Sequence, residues 1–262
     1  MAMVLAAGCG ADAEPGAPTP TPGAATESAQ TPASPLTAPP TRQPAPPVAA
    51  RPAAAERTGV LEDPDSFDVR RIYLDWSDEA PDLDGAAGRA VPPIGGTFAG
   101  TPVNEFNRAA LVAAERERLE GLLDARRGIG TLVTDIGGRL SDYDPGYGEF
   151  YVDAFAPGSR FSFPMHADHE AERALPGLHV TLELENALDA YVWTVAPDQA
   201  ARLIATLEDE GNPGRRVIAR TTVRLTGAQP DAGANRRLIG RITSYVLRTP
   251  DGTQLREVTL AP

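Results

Sequence analysis

Residues 215–225 read RRVIARTTVRL, and residues 236–247 read RRLIGRITSYVL. Both stretches start with an arginine pair and continue as apolar, Ile, small residue, Arg. The period is two. Val217, Ala219, Thr221, Val223 and Leu225 fall on one side of an extended chain, and Arg216, Arg220 and Arg224 on the other. That alternation defines a half-buried β-strand with one apolar and one cationic face. After the second stretch comes TPDGTQ (249–254), with Asp251-Gly252 at its centre, then LREVTL (255–260). An Asp-Gly pair between two alternating runs is a strong hairpin signal, because both turn residues must accept positive φ. The C-terminal third is therefore expected to be a set of antiparallel strands.

Upstream, TLVTDIGGRLSDYD, GEFYVDAF, SRFSFP and GLHVTLELEN all read as extended segments, and AYVWTV as a further buried strand. Three helical patterns stand among them. SFDVRRIYLDW (66–76) places Val69, Ile72, Tyr73 and Trp76 at i, i+3, i+4 and i+7, with Asp65 or Ser66 as its cap. From Asn104, NEFNRAALVAAERERLEGLLDARRG sets Leu111, Val112, Leu119, Leu122 and Leu123 on one stripe, and Gly128 can stop it. Pro197-Asp198 opens a helix whose inner face is Ala200, Leu203, Ile204 and Leu207, ended by Gly211. Residues 77–103 lack periodicity and read as a long loop. The expected fold class is α+β: a mainly antiparallel β-sheet with two or three helices packed on one face or end.

The N-terminal part has a different composition. Cys9, the only cysteine of the 262 residues, ends a short run of apolar and small residues. Residues 10–55 are rich in Pro, Ala and Thr, with almost no large apolar side chains. Such a segment buries too little surface to offset its ordering entropy and is expected to be a disordered tether. It would span on the order of 40 Å as a flexible coil and ~140 Å as extended polyproline. Residues 56–262 are expected to form a single α+β domain.

Leu5-Ala6-Ala7-Gly8-Cys9 resembles the lipobox of bacterial lipoprotein signal peptides. The resemblance implies that Cys9 receives a diacylglycerol, that the signal is cut before it, and that the new amino end is acylated. Residues 1–9 are then a signal remnant with the lipid-attachment cysteine, and the membrane is a partner through that lipid. The residues before Cys9 lack the basic n-region of a full signal, so the signal is expected to be truncated or the true start to lie upstream. Gly10, in place of an aspartate, points to the outer membrane. The implied location is the periplasmic face of the outer membrane of a Gram-negative bacterium. From about residue 145 onward, the PGYGEFYVDAF stretch, the APDQAARLI helix and the arginine-rich strand pair resemble uncharacterised periplasmic domains of proteobacteria. That likeness transfers no functional residue.

Charge and motif content exclude several functions. The chain carries a net charge of -12, and all its basic residues are arginine. An acidic chain of this kind is not expected to bind nucleic acid, since phosphate neutralisation needs a basic surface. A single cysteine makes no internal disulfide and no thiolate zinc site. There is no G-x-S-x-G elbow, P-loop or dinucleotide fingerprint. An EF-hand phased on Asp82, Asp84 and Gly85 would put Ala80 and Val91 where acids are required. No catalytic residue and no cofactor is expected.

Two candidate sites remain. FPMHADHEAE brings together His166, Asp168 and His169, a donor set suited to zinc, with Met165 a further ligand for copper. The other is the cationic strand face: Arg216, Arg220 and Arg224, with Arg237 and Arg241 on the neighbouring strand. Like charges across strands are unfavourable unless something anionic covers them. Internal acids such as Glu115 and Glu117 are the expected cover, with an external anion or partner as the alternative. The function read from these features is a non-enzymatic binding or scaffolding module, anchored in the envelope and contacting an envelope protein or cell-wall component. The alternative is a periplasmic metal-binding protein or metal-dependent hydrolase using His166, Asp168 and His169.

Overall fold

The computed structural model describes residues 53–165, 178–209, 211–212 and 214–261. Cys9, the signal-like residues before it, the tether up to residue 52, and the His166/Asp168/His169 cluster lie outside the described residues. The arginine-rich strands form the centre of the fold. β9 (Arg216–Pro230) and β10 (Asn235–Arg248) pair antiparallel along most of their length. β4 (Ile129–Arg139) pairs antiparallel with the other edge of β9, and β1 (Gly59–Glu62) runs parallel to β4. The far edge of β10 is shared. Its first half takes β7 (His179–Leu184) in parallel, and its second half takes β11 (Gln254–Thr259) antiparallel through the expected turn. Gly252 in that turn has φ 101°, a conformation that favours glycine. β6 (Arg160–Phe161) completes the seven-stranded sheet on the outer edge of β7. The class is α+β, and the sheet is mainly antiparallel, as expected, with β1–β4 and β7–β10 as its parallel pairs.

The core lies on one face of this sheet. Val217, Ala219, Thr221, Val223 and Leu225 are all buried, as the alternation requires. They pack with Leu132 and Ile136 of β4, Leu182 and Leu184 of β7, and Leu238, Ile242, Tyr245 and Leu247 of β10. α1 (Ser66–Trp76) closes this layer with Val69, Ile72 and Tyr73, lying against β7, β9 and β10. Its start is set by Asp65, whose carboxylate accepts from the backbone N–H groups of Phe67 and Asp68. Its end is fixed by a buried ion pair between Arg57 and Asp75, whose side chains are 4% and 7% exposed. Arg57 also lies 4.5 Å over the Trp76 ring.

Five helices stand among the described residues, more than expected. α3 (Arg108–Asp124) and α5 (Pro197–Asp209) fall where the periodicity put them. α2 (Leu83–Ala90) lies inside the stretch read as a loop, beside a two-residue hairpin of β2 (Thr97–Phe98) and β3 (Thr101–Pro102). Its sequence, LDGAAGRA, has no apolar stripe. It forms because Asp82 caps it and because Ala86 and Ala87 pack fully buried against Leu119 of α3. Asp82, tested above as a calcium ligand, serves this cap. The segment AYVWTV is also divided: Ala190 and Tyr191 end a short helix, α4 (Ala187–Tyr191), and only β8 (Val192–Thr194) is extended. β8 pairs with β5 (Glu149–Tyr151) as a separate ribbon.

Candidate functional site

The sheet face opposite the core carries only half-buried and exposed side chains. Along β9 these are Arg216, Ile218, Arg220, Thr222 and Arg224, and along β10 they include Arg237, Ile239, Arg241, Val246 and Arg248. Several of the cations are covered from within, but not by the acids anticipated. Glu115 is buried and is held by Arg118 of its own helix at 2.7 Å, and Glu117 is exposed on α3. The covering acids come from neighbouring strands and loops. Arg220 ion-pairs with Asp63, with Glu62 at 3.2 Å and with Asp135 at 3.6 Å. Arg248 reaches the other Asp135 oxygen at 2.7 Å. Arg237 donates to Glu183 at 2.7 Å and lies 4.0 Å from Asp231. The Arg220 guanidinium, chiefly through its hydrogen bond, holds the Asp63 carboxyl below the usual carboxylate range. Asp231 is likewise lowered, first by the Ala232 backbone N–H and then by Arg160 and Arg237.

The remaining sequence-predicted cations sit differently. Arg224 stands directly opposite Arg241 across the β9–β10 pair. Arg241 and Arg216 are exposed, without an ion pair to other described residues. His179 is exposed on β7, on the polar side of the strand as its alternation indicated.

Where β4 leaves the sheet, the same residue types build a concave site. A cleft of about 420 Å³ is lined by Arg139, Ser141, Asp142, Tyr151, Asp153, Tyr191 and Arg215, among others. The volume lies in the range of small-molecule sites. Gly138 directly precedes the lining residue Arg139. The turn Asp153–Phe155 approaches β4 so closely that a Cβ at position 138 would lie 2.6 Å from backbone and side-chain atoms of Asp153 and Ala154. This approach lets the Asp153 carboxylate accept from the Arg139 backbone N–H.

The walls are held in the same way. Arg139 Nε donates to the Gly214 carbonyl at 3.0 Å. Arg215 donates to the Ser141 carbonyl at 2.9 Å and ion-pairs with Asp142 at 2.8 Å. Ser141 Oγ accepts from the Tyr151 N–H at 2.8 Å and donates to the Asp142 carbonyl at 2.7 Å. Tyr151 and Tyr191 stack, with ring centroids 5.2 Å apart and planes 26° apart. The Tyr151 hydroxyl donates to Glu149 at 2.9 Å, and that bond, more than burial, pushes its pKa up. Arg215 holds φ 47°, a left-handed conformation uncommon outside glycine.

None of these cleft residues stood out in the sequence, because they converge from four separate segments. One signal was present. A Gly-Gly pair inside an otherwise clear strand marks a close backbone approach, and Gly137-Gly138 is such a pair. Among the described residues, no group of three or more His, Cys, Asp or Glu side chains is placed to hold a metal ion. No described helix is long and apolar enough to cross a membrane. The chain matches no family model, no curated protein and no solved structure.

Proposed function

We propose that the protein is an envelope-anchored, non-enzymatic binding module. A lipid on Cys9 holds it at the periplasmic face of the outer membrane, and the cleft at the end of β4 receives its ligand. The observation that carries this reading is how the cleft spends its polar groups. Ser141 is committed to the backbone, and its proton goes to a carbonyl, not to a base. The Tyr151 hydroxyl donates a hydrogen bond to Glu149 and keeps its proton, which leaves it a weak nucleophile. Arg139, anchored through Nε, has no partner for its terminal nitrogens among the described residues. A cleft in which the Ser141 and Tyr151 hydroxyls are committed and Arg139 keeps open donors is suited to holding a molecule without transforming it. The lipobox-like Leu5-Ala6-Ala7-Gly8-Cys9 supports the anchoring half of the proposal.

Both halves are open to direct tests. Expression from a start that supplies a full signal, followed by mass spectrometry of the amino-terminal peptide, should find Cys9 acylated. Cys9→Ala should move the protein out of the membrane fraction, and an unmodified Cys9 in the wild type would refute the anchor. Immobilised protein should retain envelope material that Arg139→Ala fails to retain. Equal retention by the two would refute the cleft as the binding site.

A further inference from the structure

The geometry points to a neutral saccharide as the ligand of the β4 cleft. This inference rests on the reading of the cleft as a binding site and names the ligand class. Charge is the first consideration. Two cations, Arg139 and Arg215, and two anions, Asp142 and Asp153, line the cleft. Their formal charges cancel, so the lining offers no net attraction to an anion or a cation.

Hydrogen-bonding capacity is the second. Each charged group is anchored through part of its valence and leaves the rest open. Arg139 uses Nε on Gly214, which leaves both terminal nitrogens as donors. Asp153 uses Oδ1 on the Arg139 N–H, and Asp142 uses Oδ1 on Arg215, so each keeps Oδ2 as an acceptor. Neighbouring hydroxyls on a sugar ring are paired donors and acceptors. A guanidinium fork and a carboxylate fork are the two side-chain shapes that meet such a pair in bidentate fashion.

The third is the tyrosine pair. Tyr151 and Tyr191 stack on each other and both line the cleft. They add apolar surface that the C–H face of a sugar ring can cover. The Tyr151–Glu149 bond limits rotation of that ring. Arg215, in a left-handed backbone conformation, ion-pairs with the exposed Asp142 at the rim. Strain of this kind persists only where the surroundings over-determine it, and it concentrates at ligand sites.

Calorimetric titration of the full chain tests the inference. The neutral probes are N-acetylglucosamine trimer, cellotriose and maltotriose, and the charged probes are glucuronate and inorganic phosphate. At least one neutral probe should bind saturably, with an affinity nearly constant from about 0.05 to about 0.5 M salt. Arg139→Ala and Asp153→Asn should each weaken it about tenfold or more, as expected for losing a hydrogen bond to a charged group. Both variants should melt within a few degrees of the wild type, which separates lost contacts from lost folding. Binding of only the charged probes, with steep salt dependence, overturns the saccharide assignment. So does neutral-probe binding that survives both substitutions. If no neutral probe binds while Arg139-dependent retention of envelope material persists, the ligand class is wrong and the binding module stands. If that retention is also absent, both readings fall.

Discussion

The middle of the open sheet face and the cleft at its end are made from the same parts. Both take arginine from β4, β9 or their flanks and set it against aspartate. In the middle, Arg220 is gripped by Asp63, Glu62 and Asp135, and Arg248 shares Asp135. At the end, the Arg139 side chain is fixed by Nε, and its terminal nitrogens have no partner among the described residues. The difference follows from backbone geometry more than from composition. Around Arg220 the sheet is regular, so cross-strand neighbours such as Asp135 sit within reach. Beyond Gly138 the strand meets the 153–155 turn, and the acids there are engaged by the backbone N–H of Arg139 and by Arg215. Arginine content alone therefore does not set the two regions apart; what distinguishes Arg139 is that its terminal nitrogens, without a partner among the described residues, stand in a concave lining.

The largest expected effect calibrates what an arginine–aspartate pair is worth when buried. Asp75→Ala would leave Arg57 buried and charged over Trp76 without its ion pair, with only the residue-75 carbonyl still accepting from it. A loss of about 3–5 kcal/mol is expected in denaturant unfolding. A loss below about 1 kcal/mol would mean that the pair is solvated and that α1 is held chiefly by its apolar face.

Next comes the boundary between the two regions. Gly138→Ala forces a methyl group into the 153–155 turn, and a cost of about 1–3 kcal/mol is expected from overpacking. The same change should displace Asp153 from the Arg139 N–H and abolish ligand binding. Full stability with intact binding would show that the close approach is not what shapes the cleft.

The open face should respond least. Glu62 and Asp63 are 71% and 69% exposed, so Arg220→Ala is expected to cost no more than about 1 kcal/mol. Its pH dependence has a defined sign. Folding lowers the Asp63 carboxyl pKa, chiefly through the Arg220 hydrogen bond, so the unfolded chain binds more protons in that range. This contribution is full above the ordinary carboxylate pKa of about 4 and is lost as pH falls through the lowered folded value. Acid unfolding of Arg220→Ala should therefore converge on that of the wild type at the lowest pH. A stability gap that widens on acidification would contradict the pairing.

Much of the scaffold was legible in the sequence because it is written in side-chain period. The inward row Val217 to Leu225 and the stripe from Val69 to Trp76 each declare their partners by pattern alone. The Asp251-Gly252 pair marks the hairpin turn, although of the two only Gly252 takes a positive φ. α2 was not legible, because a helix that buries only Ala86 and Ala87 leaves no apolar stripe to read. Nor were the acids that cover Arg220, since β1 pairs with β4 and not with β9, and parallel pairing leaves no local signature. The cleft was hidden for the same reason at longer range. Arg139, Tyr151, Tyr191 and Arg215 meet only once the β5–β8 ribbon and the loop before β9 are in place.

The most direct test compares the two regions in a single titration. Chemical-shift mapping of the full chain with the neutral saccharide probes would be run on the wild type, Arg139→Ala and Arg220→Ala. The predicted result is shifts confined to the backbone of residues 139–142, 151–153, 191 and 214–215, lost in Arg139→Ala and retained in Arg220→Ala. Shifts centred on Asp63, Asp135 and Arg220, lost with Arg220→Ala and indifferent to Arg139, would contradict the account.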